Sequence, residues 1–321
     1  MKHQAGVGFE DNGAGSALVL EIKGNSLDDG PGIRSVVFFK GCPLDCVWCH
    51  NPESKKRGYE LSFDAGLCVA CGACLGECPE KALSRKARGF IRRERCTLCF
   101  RCAGACPSGA LSRVGRNMSI DDIMEKVRRD IPFYKTSGGG VTLSGGEPTV
   151  YMDFLSSLAS SLKKEKIHTL LETCGLFDMN RFSEKVYPHL DQIYFDIKFF
   201  DDALHRKYCG ASNRTILENF TKLHDMLLAG GIPVLPRTPL VPGITDGEKN
   251  ISAIAAFLRS RNVKKAALLA YNPLWHGKND KIGVVNRYSK EKAMRSFMKQ
   301  ERVDACREIF RAAGIELVQA E

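Results

Sequence analysis

Three cysteines, Cys42, Cys46 and Cys49, stand at offsets of four and three directly after the run Ser35-Val-Val-Phe-Phe-Lys40. That run is β-branched and aromatic, and it reads as a buried strand that stops at Gly41. Thiolates are soft ligands suited to zinc and to iron–sulfur clusters. A four-iron cluster normally takes four thiolates, so three cysteines hold three irons and leave the fourth open to a ligand. Ligands grouped at a strand end constrain the fold first, because everything else must be built around that loop.

A second set of cysteines repeats. CVACGACLGECPEKAL at Cys68–Leu83 recurs as CTLCFRCAGACPSGAL at Cys96–Leu111, in register at a period of 28. Each copy has the C-x₂-C-x₂-C-x₃-C-P spacing of bacterial ferredoxins, in which the fourth cysteine of each run serves the other cluster. One cluster is then expected on Cys68, Cys71, Cys74 and Cys106, the other on Cys96, Cys99, Cys102 and Cys78. Zinc is the competing ligand for paired CxxC units. Two in-register copies, each followed by proline, favour iron–sulfur.

The flanks of the first cysteine set carry a resemblance. CxxxCxxC after a strand resembles the signature of the radical S-adenosylmethionine (radical SAM) enzymes. DGPGIR at Asp29–Arg34 and WCHNPE at Trp48–Glu53 resemble a narrower group, the activating enzymes of glycyl radical enzymes. The resemblance covers nearly the whole chain from about residue 18. It implies that the open iron chelates the amino and carboxylate groups of S-adenosylmethionine. Reductive cleavage then yields a 5′-deoxyadenosyl radical that takes a hydrogen from a glycine of a partner enzyme. It further implies cofactor contacts from Trp48, Cys49 and His50. An enzyme acting on a small molecule would share the cluster motif, whereas an electron-carrier module would leave CxxxCxxC without purpose.

Beyond the repeat, strands and helices alternate. Strands read at 17–23, 141–143, 167–172, 192–198, 232–238, 266–271 and 315–319, and helices at 152–164, 179–187, 215–229, 246–260 and 289–313. Ser119 reads as the N-cap of a helix over 120–129, and Thr245 with Glu248 as a capping box for the helix over 246–260. Repeated β–α units imply a parallel sheet covered by helices. The expected fold is α/β: a partial (β/α)₆ radical SAM barrel over 17–61 and 117–321, a two-cluster ferredoxin-like insert at 62–116, and a flexible N-terminus at 1–16.

Several residues follow strands, where an α/β barrel places its site. Gly145-Gly146-Glu147-Pro148 resembles the family motif that holds the amino end of S-adenosylmethionine, and Glu172 matches an acidic position that shapes the cofactor site. Asp196, Ile197 and Lys198 match a motif that contacts the cofactor near the target, which makes Asp196 and Lys198 the catalytic candidates. Arg237 is expected as a polar contact, and Asn272 stands where the family often has histidine. Asparagine hydrogen-bonds but does not titrate near neutral pH, so no proton transfer is assigned to it.

Composition adds limits. Fourteen cysteines in a chain of 321 residues without a signal-like start point to metal rather than to disulfides. Cys174, Cys209 and Cys306 lie outside the clustered spacings and read as small buried apolar residues. No apolar run reaches membrane-spanning length, and a cytoplasmic location is expected. Of the net charge of +10, much is local: residues 81–116 hold ten Lys or Arg against Glu94 alone. That face either offsets cluster charge, attracts an acidic electron donor such as flavodoxin or ferredoxin, or is simply solvated. No nucleic-acid motif accompanies it. The expected cofactors are three [4Fe-4S] clusters and S-adenosylmethionine, and the expected partner is a glycyl radical enzyme.

Overall fold

The computed structural model describes residues 15–319 except residue 88, so the expected flexible stretch lies outside the described residues apart from Gly15 and Ser16. Its strands are β1 (Ala17–Ser26), β2 (Arg34–Phe39), β3 (Glu60–Phe63), β4 (Leu111–Val114), β5 (Arg116–Met118), β6 (Gly140–Gly145), β7 (His168–Thr173), β8 (Gln192–Asp196), β9 (Val234–Leu240), β10 (Lys265–Ala270) and β11 (Glu316–Leu317). Nine of them form one mixed sheet in the order β11-β10-β9-β8-β7-β6-β2-β1-β5. From β11 to β2 every pairing is parallel, and β1 and β5 extend the β2 edge antiparallel.

The parallel strands are buried on both faces, which is why they read as continuous apolar runs rather than alternating ones. Val37, Leu143, Leu171 and Ile193 meet Phe154 and Leu158 of the helix Met152–Lys164, Phe220 of Arg214–Leu228, Ile254 of Glu248–Ser260 and Phe310 of Gln300–Ala312 in one core. The expected cap at Ser119 is present, with Asp122 answering it in a capping box.

Three expectations are corrected. Thr245 does not cap a helix: its hydroxyl donates to the Pro239 carbonyl at 2.5 Å and accepts from the Val241 N–H at 2.7 Å, so the helix starts at Glu248 behind Gly247. The long helix over 289–313 is only Gln300–Ala312, because Glu291 and Ser296 are extended and leave short 3₁₀ turns before it. The third is a missed strand: the polar edge strand β5, two of its three residues exposed, carries no apolar signal.

β3 and β4 form a separate two-stranded antiparallel sheet that brings the two ends of the segment between them together, with Glu60 opposite Val114 and Phe63 opposite Leu111. Buried Lys40 ties this neck to the end of β2: its Nζ donates to the Glu53 carbonyl at 2.5 Å and to Glu60 Oε2 at 2.7 Å. Arg93 adds a bond to the Leu61 carbonyl at 2.9 Å, and Lys281 pairs with Asp64 at 2.7 Å.

Arg34, from the DGPGIR stretch, is fully buried. Its guanidinium donates to Thr142 Oγ1 at 2.6 Å, the Val141 carbonyl at 2.8 Å and the Pro31 carbonyl at 3.0 Å, stitching β2 to β6. Burial pulls it down to about 10, which leaves it charged at neutral pH. Arg34→Ala orphans these acceptors and is expected to cost about 3 kcal/mol, read as a lower urea midpoint. Arg34→Lys should recover only part of the loss, because a single ammonium cannot span the three acceptors.

Candidate active site

The C-terminal ends of β2 and β6 to β10 open on a cavity of about 510 Å³. Its wall includes Cys42, Cys46, Trp48, Cys49 and His50 from the loop after β2, Gly145 and Gly146 at the end of β6, Glu172, Asp196, Lys198, Arg237 and Asn272. The size suits a small-molecule site.

Backbone fixes the first wall. Gly146 N–H donates to the Phe39 carbonyl and Glu147 N–H to the Gly41 carbonyl, each at 2.8 Å, so the glycine turn lies directly on the start of the cysteine loop. A Cβ on Gly145 would stand 2.3 Å from Phe39 N, and one on Gly146 2.3 Å from Gly41 O. Only glycine permits this approach. The far side of the loop is held by Trp48, edge-on to Phe199 at 6.1 Å, and by His50, edge-on to Tyr271 at 5.9 Å.

Charged side chains make the opposite wall. Arg237 donates to Asp196 Oδ1 at 2.9 Å and to Glu172 Oε1, while Lys198 Nζ reaches Asp196 Oδ2 at 3.3 Å. Ser144 completes the chain with a bond to Glu172 Oε2 at 2.6 Å. Burial pushes the Asp196 carboxyl up, but Arg237 and Lys198 outweigh it and hold it below its ordinary value. Burial likewise works against the Lys198 ammonium, and Asp196 reverses it, so Lys198 keeps its proton. Two carboxylates and two cations thus form a hydrogen-bonding wall whose formal charges cancel.

Two expected contacts are not brought to the cavity. Glu147 is fully buried, its carboxylate accepting from Thr149 Oγ1 at 2.8 Å, Thr173 Oγ1 at 2.9 Å and Cys174 N–H at 2.7 Å, so it braces the end of β7 from behind. Ile197 is buried with its N–H on the Arg237 carbonyl at 2.8 Å. Asn272 reaches the wall, where its side-chain oxygen accepts from Leu274 N–H at 2.9 Å.

The other eight clustered cysteines line two further concavities. Cys68, Cys71, Cys74 and Cys106 surround one of about 410 Å³. Cys78, Cys96, Cys99 and Cys102 surround a tighter one beside Leu61. Among the described residues no three His, Cys, Asp or Glu side chains close on a single ion position. The thiols stand around cavity walls, a donor set that fits a group wider than one ion.

Some site residues were missed in the sequence. Cys174 shares the cavity wall, and Cys209 packs in the same apolar cluster as Cys46 and Trp48. The signal for Cys209 was present: Asp201 caps the unexpected helix Asp202–Cys209 and Gly210 follows it, a start and stop pair.

A model of the radical SAM superfamily matches residues 93–253, one of a 4Fe-4S dicluster domain matches 67–110, and one of a 4Fe-4S single cluster domain matches 28–75. The chain is 41% identical over 265 residues to the isethionate sulfite-lyase activating enzyme of Nitratidesulfovibrio vulgaris, covering 81% of this chain and 85% of that one. It is 37% identical to the trans-4-hydroxy-L-proline dehydratase activating enzyme of Clostridioides difficile, covering 92% and 97%. It is also 37% identical to the choline trimethylamine-lyase activating enzyme of Oleidesulfovibrio alaskensis, covering 90% and 94%. The chain belongs to the glycyl radical enzyme activating enzymes of the radical SAM superfamily. It is an oxidoreductase that uses S-adenosylmethionine and iron–sulfur chemistry to generate a glycyl radical. No described helix is long and apolar enough to cross a membrane.

Arg237→Met would leave the half-buried Glu172 without its cation and Asp196 with Lys198 alone. The expected loss is about 2–3 kcal/mol at neutral pH. A carboxylate held below its ordinary value stabilises fully above the unfolded aspartate pKa of about 3.9 and loses that contribution as pH falls through the native value. The difference in unfolding midpoint between wild type and variant should therefore be largest near pH 7 and shrink towards pH 3. A difference that does not change with pH would contradict the network's role.

Proposed function

We propose that the 510 Å³ cavity is where S-adenosylmethionine and a four-iron cluster meet, with Cys42, Cys46 and Cys49 as the iron ligands. The observation that carries this reading is the partition of the eleven clustered cysteines into three sets, each lining a separate concavity. When bound, the cluster and S-adenosylmethionine supply an electron and a carbon-centred radical that removes hydrogen from a glycine α-carbon. The chain's own residues bind and orient. The Gly145-Gly146 turn lets backbone approach the cofactor, and the Glu172–Arg237–Asp196–Lys198 wall offers fixed donors and acceptors that need no rearrangement. Asp196 and Lys198 are the proposed catalytic pair, with Trp48 and His50 shaping the loop side. Glu147 acts by positioning Thr173 and Cys174.

The sheet ends β11 and β5 are not joined, and the strands from β2 to β11 read as a partial barrel open on one side to a protein substrate. The span over 62–116 reads as an insert holding two further four-iron clusters on the two other cysteine sets. Three clusters in all are proposed, fed by a low-potential one-electron carrier such as flavodoxin or ferredoxin. The partner is a glycyl radical enzyme that presents its glycine to the cavity. Fourteen reduced cysteines suit the cytoplasm.

Anaerobically reconstituted protein is expected to contain about twelve irons, and Cys96→Ala about four fewer. Zinc in place of iron in the insert would sink the three-cluster assignment. Cys46→Ala should abolish 5′-deoxyadenosine formation. With a partner carrying α-deuterated glycine, deuterium should appear in 5′-deoxyadenosine as a glycine-centred paramagnetic doublet grows. Deuterium retained in the partner, with a small metabolite donating the hydrogen, would replace this reading by one of small-molecule chemistry.

A further inference from the structure

The two cysteine sets between β3 and β4 meet the surface differently. Cys68 and Cys71 are exposed, with Cys74 and Cys106 half-buried, whereas in the other set Cys102 is buried and only Cys99 is exposed. Every residue from Ala65 to Cys71 is exposed, with Leu67 at 53% and Val69 at 66%. Leu75 adds another exposed apolar side chain to the same concavity, whose wall includes Val69. A cluster of exposed apolar side chains marks a surface that another molecule covers.

Place along the β3–β4 ladder separates the sets as well. Leu61, next to the Glu60 that pairs with Lys40, lines the tight concavity, and Phe63, on the same face of β3, lines the open one. Phe100 of the tight concavity lies edge-on to Tyr59 at 6.2 Å, and Tyr59 packs on the main core. The open set thus lies further out along the ladder than the tight one. Charge follows the same division. Among the described residues, Arg85 is the one charged side chain besides the thiols in the open wall. Its Nη2 donates to the Ala70 carbonyl at 2.8 Å, which holds the guanidinium against the exposed run, and exposed Lys86 follows it. The tight concavity carries Glu80 instead. An acidic partner is attracted to the first and repelled by the second.

An apolar centre with a polar rim is the anatomy of a protein interface. A flavin offers an apolar benzenoid edge to such a centre, whereas an iron–sulfur carrier would bring further anionic thiolates against Cys68 and Cys71. We propose that the concavity around Cys68, Cys71, Cys74 and Cys106 is the docking surface for an acidic flavoprotein electron carrier, with Val69 and Leu75 at its centre and Arg85 and Lys86 at its rim. The inference rests on the reading that a one-electron carrier protein feeds this chain.

The probe is flavodoxin, titrated calorimetrically into the full chain reconstituted anaerobically, at two ionic strengths. Affinity should fall as salt rises. Arg85→Glu should bind about tenfold more weakly, because like charge then meets the acidic face. Val69→Ser should weaken binding with the salt dependence unchanged. Leu98→Ser and Arg101→Glu, beside the tight set, should bind like wild type. Iron content equal to wild type shows that a variant keeps its fold. Carbodiimide, which joins carboxylates to amines, should link flavodoxin to Lys86 of the wild type, a readout that needs no variant. Absence of flavodoxin binding, unchanged affinity in Arg85→Glu, or cross-links that avoid Lys86 would each overturn the proposal. So would loss of binding in Leu98→Ser and Arg101→Glu, which would move the docking surface to the tight set. Reduced flavodoxin that passes electrons to wild type and Arg85→Glu at one rate would leave the carrier reading standing and remove this docking site. Failure to reduce even the wild type would remove the carrier reading itself.

Discussion

The parallel pairing of β2 with β6 is the constraint on which the site depends. Its register sets Phe39 opposite Gly145, so the two strands run out together and their following loops are forced into contact. One loop carries the three cysteines and the other the two glycines. Neither could be displaced by a residue without breaking the bonds from Gly146 N–H to the Phe39 carbonyl and from Glu147 N–H to the Gly41 carbonyl, each 2.8 Å. Arg34 at one end of β2 and Lys40 at the other lock that strand in place. Both are fully buried and both direct their donors to backbone carbonyls as well as to side chains. A cation in the interior is costly unless its donors are used, so each fixes the geometry around it closely.

The cavity's charges obey the same rule. Four ionised side chains lie within hydrogen-bonding reach of one another, and their formal charges cancel. Burial works against the charge on both Asp196 and Lys198, yet Arg237 and Lys198 hold the Asp196 carboxyl below its ordinary value and Asp196 holds the Lys198 ammonium above its own. The outcome is a wall of oriented dipoles that needs no solvent to remain polar.

Much of this was legible before the structure. Strand ends are marked by short motifs, GCP, GGEP, ETCG and DIK, because glycine, proline and acidic residues cannot continue the apolar runs that precede them. The pairing of Cys106 with the first cysteine run and Cys78 with the second followed from spacing, and the cavities divide the eight thiols in the same way. What escaped was what depends on contacts between distant segments. Glu147 belongs to a motif, but its carboxylate faces Thr173 and Cys174, a direction that spacing does not encode. Thr245 and Glu248 have the spacing of a capping box, yet Thr245 Oγ1 finds the Pro239 carbonyl first. The bland reading of Cys209 rested on its isolation in sequence, and only the backbone bonds from Asp45 and Val47 bring it to Cys46.

The span between β3 and β4 shows how a long connection can be held without moving the strand ends that line the cavity. The radical SAM match begins at residue 93, beyond the three ligand cysteines, which fall in a separate match over 28–75. Lengthening a loop costs only about 0.6 kcal/mol of closure entropy per doubling, provided its ends stay together. Here they do, since the β3–β4 ladder pairs Glu60 with Val114 and holds the departing and returning strands side by side. The ladder is in turn anchored by Glu60 on Lys40, the residue immediately before Gly41. An added segment fixed at that point is attached to the end of β2 and so to the cysteine loop itself. In that connection the cysteine-rich span meets the loop after β2 through one buried ion pair and leaves the ends of β7, β8 and β9 free to line the cavity.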